Sequence, residues 1–171
     1  MESNSSDYKI DKLDRQILAY LIEDARLPFT EIAKKLIVSP GTIHVRVKKM
    51  ESAGIIKGAS LKVDYEKLGY DFTAYVGAYV DQTSDAPSIM EKLKEIPEVT
   101  VAHVATGQFS IFCKIRSKDT GHAKNVIFQI NAIEGILRTE TMISLEESIN
   151  DKERLFRKIF ELSTGEKFSS I

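Results

Sequence analysis

A chain of 171 residues with 43% hydrophobic residues and a formal net charge of −1 can bury one ordinary core or two small ones. The charge balance excludes a uniformly basic coat protein but leaves room for a local basic patch. One cysteine, Cys113, excludes an intrachain disulfide and a metal site built on cysteine spacing, and it suits a reducing, cytoplasmic setting.

The N-terminal "MESNSSDYKIDK" has no apolar h-region, so no signal peptide is expected. Residues 2 to 7 read as a frayed arm. No run of about 18 apolar residues is found, so no membrane-spanning helix is expected. Leu13, Ile17, Tyr20 and Leu21 recur at helical spacing and predict a helix from about Asp11 to Glu23. "RLPF" breaks it. Thr30 is placed to cap a second, short helix with Ile32, Ala33 and Leu36 on one face and Phe29 as a hydrophobic staple. A third helix follows at once. Ser39 is its N-cap, Pro40 its first residue, Ile43, Val47 and Met50 its buried stripe, and Gly54 its stop. "IIKGASLKVD" alternates β-branched residues and predicts a strand. This order is that of a winged helix-turn-helix, expected over residues 1–64.

The next region, residues 65–150, has a different rhythm. "FTAYVGAYV" predicts a strand over 72–80. Ser84 and Asp85 open a helix carrying Ile89, Leu93 and Ile96, and Pro97 stops it. "VTVAHVAT" and "FSIFCKIR" predict two strands joined by a tight turn at "GQ". Ser117 or Asp119 opens a helix with Ala123, Val126, Ile127 and Ile130 on one side; Gly135 ends it, and "RTETMISL" is the last strand. The order β-α-β-β-α-β predicts an α+β, ferredoxin-like domain. Its two helices can cover one face of the sheet. Ile111, Cys113 and Ile115 point one way and Phe112 the other, while Val104 and Met142 add apolar surface. A solvated second face reads polar, so the second face is expected to pack on another copy of the chain.

Residues 151–171 form an amphipathic tail. Leu155, Ile159 and Leu162 fall on one stripe, with Phe156 and Phe160 beside it. A closing helix on its own core and a clasp between subunits both fit this pattern.

The third helix carries the chemistry. Opposite its buried stripe stand Gly41, His44, Val45, Lys48 and Ser52, flanked by Thr42 and Lys49; Arg46 lies at the stripe's edge. From Ser39 to Lys62 five cations (Arg46, Lys48, Lys49, Lys57, Lys62) face the single acid Glu51. A helix entering the major groove exposes donors near its N-terminus, where base edges are read. The same end attracts phosphate through its free N–H groups and dipole. Ser39, Gly41, Thr42, His44, Arg46, Lys48, Lys49 and Lys57 are therefore the candidate DNA contacts, and double-stranded DNA the candidate partner. Lysines on a solvated helix would do no more than keep it soluble. The preceding short helix, the tight turn and the intact caps favour DNA.

"LDRQIL…RLPFTEIAKKLIVSPGTIHVRVKKMESAGIIKGASLKVD" resembles the DNA-binding half of the Lrp/AsnC family of transcription regulators, and "SPGTIHVRV" with "AGIIKGA" resembles its asparagine-responsive branch. "LGYDFTAYVGAYV", "VAHVATGQFSIFCKI" and "RTETMISLEE" are similar to that family's ligand-sensing module, so the resemblance spans residues 10 to 147. It implies dimers through the C-terminal modules, assembly into tetramers of dimers, and a small effector, usually an amino acid such as asparagine, held between neighbouring dimers. The residues matching the effector turn are Thr106, Gly107, Gln108, Phe109 and Ser110, with Asn131, Thr139 and Glu140 as further candidates. Ser110 stands where many members carry an aspartate; the asparagine-responsive branch also lacks it, so this change favours that branch, while Gln108, Val104 and Ala105 differ from that branch's pattern. Read without the family, Gly107 allows close approach and the exposed N–H groups with the Ser110 hydroxyl suit a carboxylate; "TGQF" is also an ordinary hairpin turn.

Two rival readings stand beside a regulator. An enzyme is disfavoured because His44, His103 and His122 lie in three different elements without acid or cysteine at triad or metal-ligand spacing, and no phosphate-cradling glycine loop is present. No cofactor or metal is expected. A DNA-organising, nucleoid-type protein without a ligand would keep the basic helix and the oligomer.

Overall fold

Asp11 and Asp14 start the first helix in a computed structural model that describes residues 8–81, 85–151 and 153–160. The Asp11 side chain accepts from the Asp14 N–H, and the Asp14 side chain accepts from the Asp11 N–H, a reciprocal capping box that fixes helix α1 at Lys12–Glu23. Helix α2 is Phe29–Leu36. Thr30 does not cap it: Pro28 occupies the N-cap without a side-chain bond, and Thr30 lies inside the helix. Pro28 fixes its own φ and needs no donor, so the helix starts two residues earlier than the Thr30 hydroxyl predicts. Ile37 then closes α2 in the left-handed region at φ 56, and the Val38 N–H donates to the Ala33 carbonyl.

Helix α3 is Pro40–Ser52, with Ser39 as N-cap and Pro40 at its first position, as its sequence predicts. Gly54 follows at φ 71. Ile43 and Met50 are fully buried and Val47 nearly so, against Ile17 of α1 and Ile32 of α2. Burying each such side chain contributes about 2 kcal/mol. The predicted wing strand is absent: residues 55–64 are irregular. β-Branched alternation makes a strand only where a neighbouring edge takes its hydrogen bonds, and none of the described elements offers one here. Ile55 and Ile56 instead turn back onto the helical core.

The described residues divide into two compact units. The first runs to Leu61 and resumes at Ile149; the second is Lys62–Ser148. A short 3₁₀ turn, Glu66–Leu68, opens the second. Its sheet has strands β1 Phe72–Val80, β2 Val99–Val104, β3 Ile111–Ser117 and β4 Ile136–Ile143 in the order β2-β3-β1-β4, all neighbours antiparallel. Helices α4 (Ala86–Lys94) and α5 (Thr120–Asn131) supply Ile89, Leu93, Val126 and Ile130 to one core with Ala74, Val76, Ile111, Cys113 and Ile115. This is the expected α+β arrangement.

One open choice is resolved, between Asp119 and Ser117 at the start of α5, and other boundaries differ from expectation. Asp119, whose side chain accepts from the His122 N–H, caps α5, while Ser117 is buried in β3. Helix α5 ends at Asn131; Gly135, at φ 91, sits in the turn before β4, which starts at Ile136 rather than Arg138. The β2–β3 connection is no tight turn. Residues 105–110 form a wider loop closed by the Ala105 N–H on the Ser110 carbonyl, and Phe109 lies off the strand. Gly77 explains the width: a Cβ there would meet the Phe109 ring at 2.5 Å, so the ring lies directly over β1.

A last helix, α6, spans Glu153–Ile159 and belongs to the first unit. Phe156 and, just past its end, Phe160 pack on the helical core, while Leu155 and Ile159 are exposed. This reverses the predicted stripe, because two aromatic rings bury more area than two aliphatic chains on a helix this short. The expected frayed arm (2–7), Ser84 and Leu162 lie outside the described residues.

Candidate nucleic-acid interface and sensor face

In the first unit, the exposed side of α3 presents Gly41, His44, Val45, Lys48, Lys49 and Ser52. Ser39 Oγ accepts from the Thr42 N–H at 3.1 Å and lies 2.9 Å from Thr42 Oγ1. The cap therefore satisfies one backbone donor and leaves the hydroxyl pair at the exposed N-terminal end. His44, Val45, Lys48, Lys49 and Ser52 line a shallow groove of about 640 Å³ together with Tyr8. Lys48 is paired with Glu51 at 2.8 Å, a largely exposed contact of the kind worth at most about 1 kcal/mol, so its charge stays available. Lys49 and Lys57 are exposed. Lys57 lies beyond α3, in the segment where the wing strand was expected.

Arg46 is placed differently from the other candidates. Its Nη1 donates to Asp11 Oδ2 and, at 3.1 Å, to Asp14 Oδ1. Asp14 is fully buried and also accepts from the Tyr8 hydroxyl at 3.0 Å. The Arg46 guanidinium holds the Asp11 carboxyl below its usual range, with the Asp14 N–H adding to the effect. Hydrogen bonding to Asp11 in turn raises the Arg46 pKa. Burial, with the neighbouring Asp14 carboxylate, raises the Tyr8 hydroxyl. The sequence places Arg46 at the edge of the buried stripe but does not reveal its partners. Asp14 and Tyr8 went unpredicted; the Asp-x-x-Asp spacing at the start of α1 was the available signal.

In the second unit, the sheet face opposite α4 and α5 carries an aromatic row. Tyr75 and Phe112 stack at 5.7 Å, Phe109 and Phe112 at 6.2 Å, and Tyr79 meets Phe109 edge-on at 5.3 Å. Met142, paired with Tyr75, and Val101, paired with Lys114, are exposed on the same face. At one end, Gln108 Nε2 donates to the Tyr79 hydroxyl at 2.8 Å, and that hydroxyl donates to Glu140 Oε1 at 2.9 Å. Arg138 pairs with Glu140 at 3.0 Å and covers the Tyr79 ring at 3.8 Å.

The predicted effector residues thus fall into separate groups. Gln108, Phe109 and Glu140 come together through Tyr79. Thr106 and Gly107 form the exposed tip of the loop, with Gly107 at φ 111. The Ser110 N–H donates to the Ala78 carbonyl. Asn131 is exposed at the end of α5. Thr139 pairs with Ala78, on the helix side, so it and Glu140 face opposite ways. Tyr79 and Arg138 escaped the sequence reading, although the β1 alternation places Tyr79 in line with Tyr75.

Comparison with known proteins agrees with this geometry. The family description "winged helix-turn-helix DNA-binding" matches residues 10–57, and "Lrp/AsnC ligand binding domain" matches residues 73–153. The chain is 44% identical over 144 residues to the regulatory protein AsnC of Escherichia coli (strain K12), covering 84% of this chain and 95% of the relative. The solved structure of E. coli AsnC superposes with a TM-score of 0.80 at 43% identity, covering 84% of this chain and 97% of that one. A feast or famine regulatory protein from M. tuberculosis, solved in complex with L-methionine, superposes with a TM-score of 0.76 at 25% identity, covering 84% and 97%.

Proposed function

Because the chain belongs to the Lrp/AsnC family of DNA-binding transcription regulators, we propose that it reads DNA with the exposed face of α3 and answers to an amino acid, with asparagine as the first candidate. It is a regulator with a ligand-binding domain, and its relatives are regulators rather than enzymes. The observation that carries the DNA reading is the two-sidedness of α3: Ile43, Val47 and Met50 buried, and Gly41, Thr42, His44, Lys48 and Lys49 turned outward. Ser39, Gly41, Thr42 and His44 meet base edges or the nearest phosphate, and Lys48, Lys49 and Lys57 neutralise phosphate. Arg46 holds α3 against α1 through Asp11 and Asp14 and leaves the phosphates to the lysines.

The second face of the sheet packs on a second copy. Phe112, Tyr75, Met142 and Val101 supply the apolar area that support this pairing. Two α3 helices of such a dimer meet successive major grooves about 34 Å apart. Dimers assemble further, toward a tetramer of dimers. The amino acid is held near the 105–110 loop, with Gly107 giving close approach and Gln108 and Glu140 as polar partners; Ser110, Thr106, Phe109, Asn131 and Thr139 complete the candidate set. Ligand bound unequally by two assemblies changes which DNA spans they hold. The protein works in the cytoplasm and needs no cofactor.

A thermal-shift screen against the twenty amino acids tests this reading. A ligand that binds only the folded state raises Tm by mass action. A clear rise with asparagine or a close relative supports a sensor and identifies its signal. No rise with any amino acid turns the reading toward a ligand-independent DNA-organising protein.

A further inference from the structure

The first unit contains a piece of chain that arrives only after the second unit is complete. The connecting stretch is fixed at both ends. At its start, Glu147 Oε1 accepts from Lys114 Nζ at 2.8 Å and Oε2 from Arg116 Nη2 at 3.3 Å. Both cations are largely buried, at 14% and 17% exposure, so this pair is better shielded than an ordinary surface one. Lys114 lies on the face that carries Tyr75, its ammonium 5.8 Å from that ring, and Arg116 covers Tyr65 at 5.2 Å.

At its other end, Phe156 and Phe160 meet edge-on at 4.5 Å and pack on the helical core of the first unit. The Arg15 guanidinium of α1 lies 5.6 Å from the Phe160 ring. A helix as short as α6, Glu153–Ile159, is not stable alone in water, so its helicity depends on this docking. The match to the ligand-binding family description ends at residue 153, where α6 begins, so the family match does not account for the Phe156–Phe160 anchor.

We infer that Glu147 and the Phe156–Phe160 pair are the two anchors of a strap through which the state of the sheet's second face reaches the DNA-binding unit. The inference rests on the reading that this face meets a second copy or a ligand. Eight residues separate Glu147 from Phe156, a span of at most about 30 Å. The two units are joined twice along the chain, near Leu61 and near Ile149, so a change at one end of the second connection acts on α6 at the other. Any group packing against Tyr75 and Lys114 competes for the cations that hold Glu147. Loss of that grip lengthens the free part of the strap and loosens the docking of α6 on the helical core.

Two variants of the full chain test this. Glu147→Gln keeps shape and removes charge. Amide exchange read by mass spectrometry should quicken about fivefold in α6, as expected for loss of a partly shielded ion pair. Unchanged α6 exchange overturns the strap and leaves α6 as a lid on its own core. In Phe156→Ala/Phe160→Ala, DNA affinity without amino acid should stay within about twofold while the change in affinity caused by asparagine, or by whichever amino acid moves Tm, is lost. A retained response overturns the strap. If the unaltered chain responds to no amino acid, the sensor reading fails, and the exchange result alone decides the strap.

Discussion

The buried carboxylate of Asp14 on α1 accepts from Arg46 Nη1 on α3 at 3.1 Å, which ties the first helix to the helix proposed to face DNA. Asp14→Asn leaves a partly buried guanidinium short of one carboxylate and should destabilise the first unit by about 2–3 kcal/mol, read by urea unfolding. Asp11 sets the acid side of the same contact. Arg46 holds its pKa below the ordinary 3.8. Its contribution is therefore fully present above pH 3.8 and is lost as the pH falls through the depressed folded value. The first unit should lose stability as the pH falls below 3.8, and Asp11→Asn should flatten that limb of the stability curve.

Arg46 and Lys48 should separate in salt titrations. Lys48→Ala removes the cation proposed to meet phosphate, so it should weaken all DNA sequences alike and reduce the log–log salt slope by about 1. Arg46→Ala should lower stability with little change in slope, because its charge is already matched by Asp11 and Asp14. Equal loss of slope in both variants would return Arg46 to the DNA interface.

Ile37 stands at φ 56 and is 92% exposed. A β-branched residue in the left-handed region is strained by about 1–2 kcal/mol. Ile37→Gly should therefore raise Tm, net of the greater freedom of the unfolded chain, by an amount equivalent to about 0.5–1 kcal/mol. A lower Tm would mean that the side chain contributes packing.

The two glycines near the loop should fail differently. Gly107 has open space around it but φ 111, so Gly107→Val strains the backbone locally, by about 1–3 kcal/mol, and should abolish the amino-acid response while leaving DNA affinity intact. Gly77→Val instead drives a side chain into the Phe109 ring and should lower the Tm of the second unit, a core overpacking of about 1–3 kcal/mol. Retained response in Gly107→Val would move the ligand away from the loop.

Cys113 is buried in β3 beside the Val76 carbonyl, and burial pushes its thiol up to about 11. Iodoacetamide at pH 8 should leave the folded protein unlabelled and label it on unfolding, so the thiol reports opening of the second unit. Rapid labelling of the native protein would show that β3 opens locally.

The sequence makes the periodic elements legible and leaves partners hidden. The strand β1 and the Ser39–Pro40 start of α3 follow from local chemistry alone, and the structure reproduces both. The strand predicted over residues 55–64 does not form, because alternation cannot report whether an edge waits for it. The sequence alone offers Arg46 only as a DNA contact, because its carboxylate partners lie more than thirty positions away. The tail shows the same limit: hydropathy alone ranks Leu155 and Ile159 with Phe156 and Phe160, and only the surface they meet picks out the aromatic pair.

The interrupted first unit also dictates an order of events at the ribosome. Helices α1 to α3 emerge early, yet two aromatic groups that pack on their core, Phe156 and Phe160, are translated after the whole sheet. A nascent chain therefore carries an incompletely covered helical core past the moment when the sheet can fold. Contacts of such long sequence separation form late, so the helical unit should reach its full stability only after residue 160 has cleared the exit tunnel.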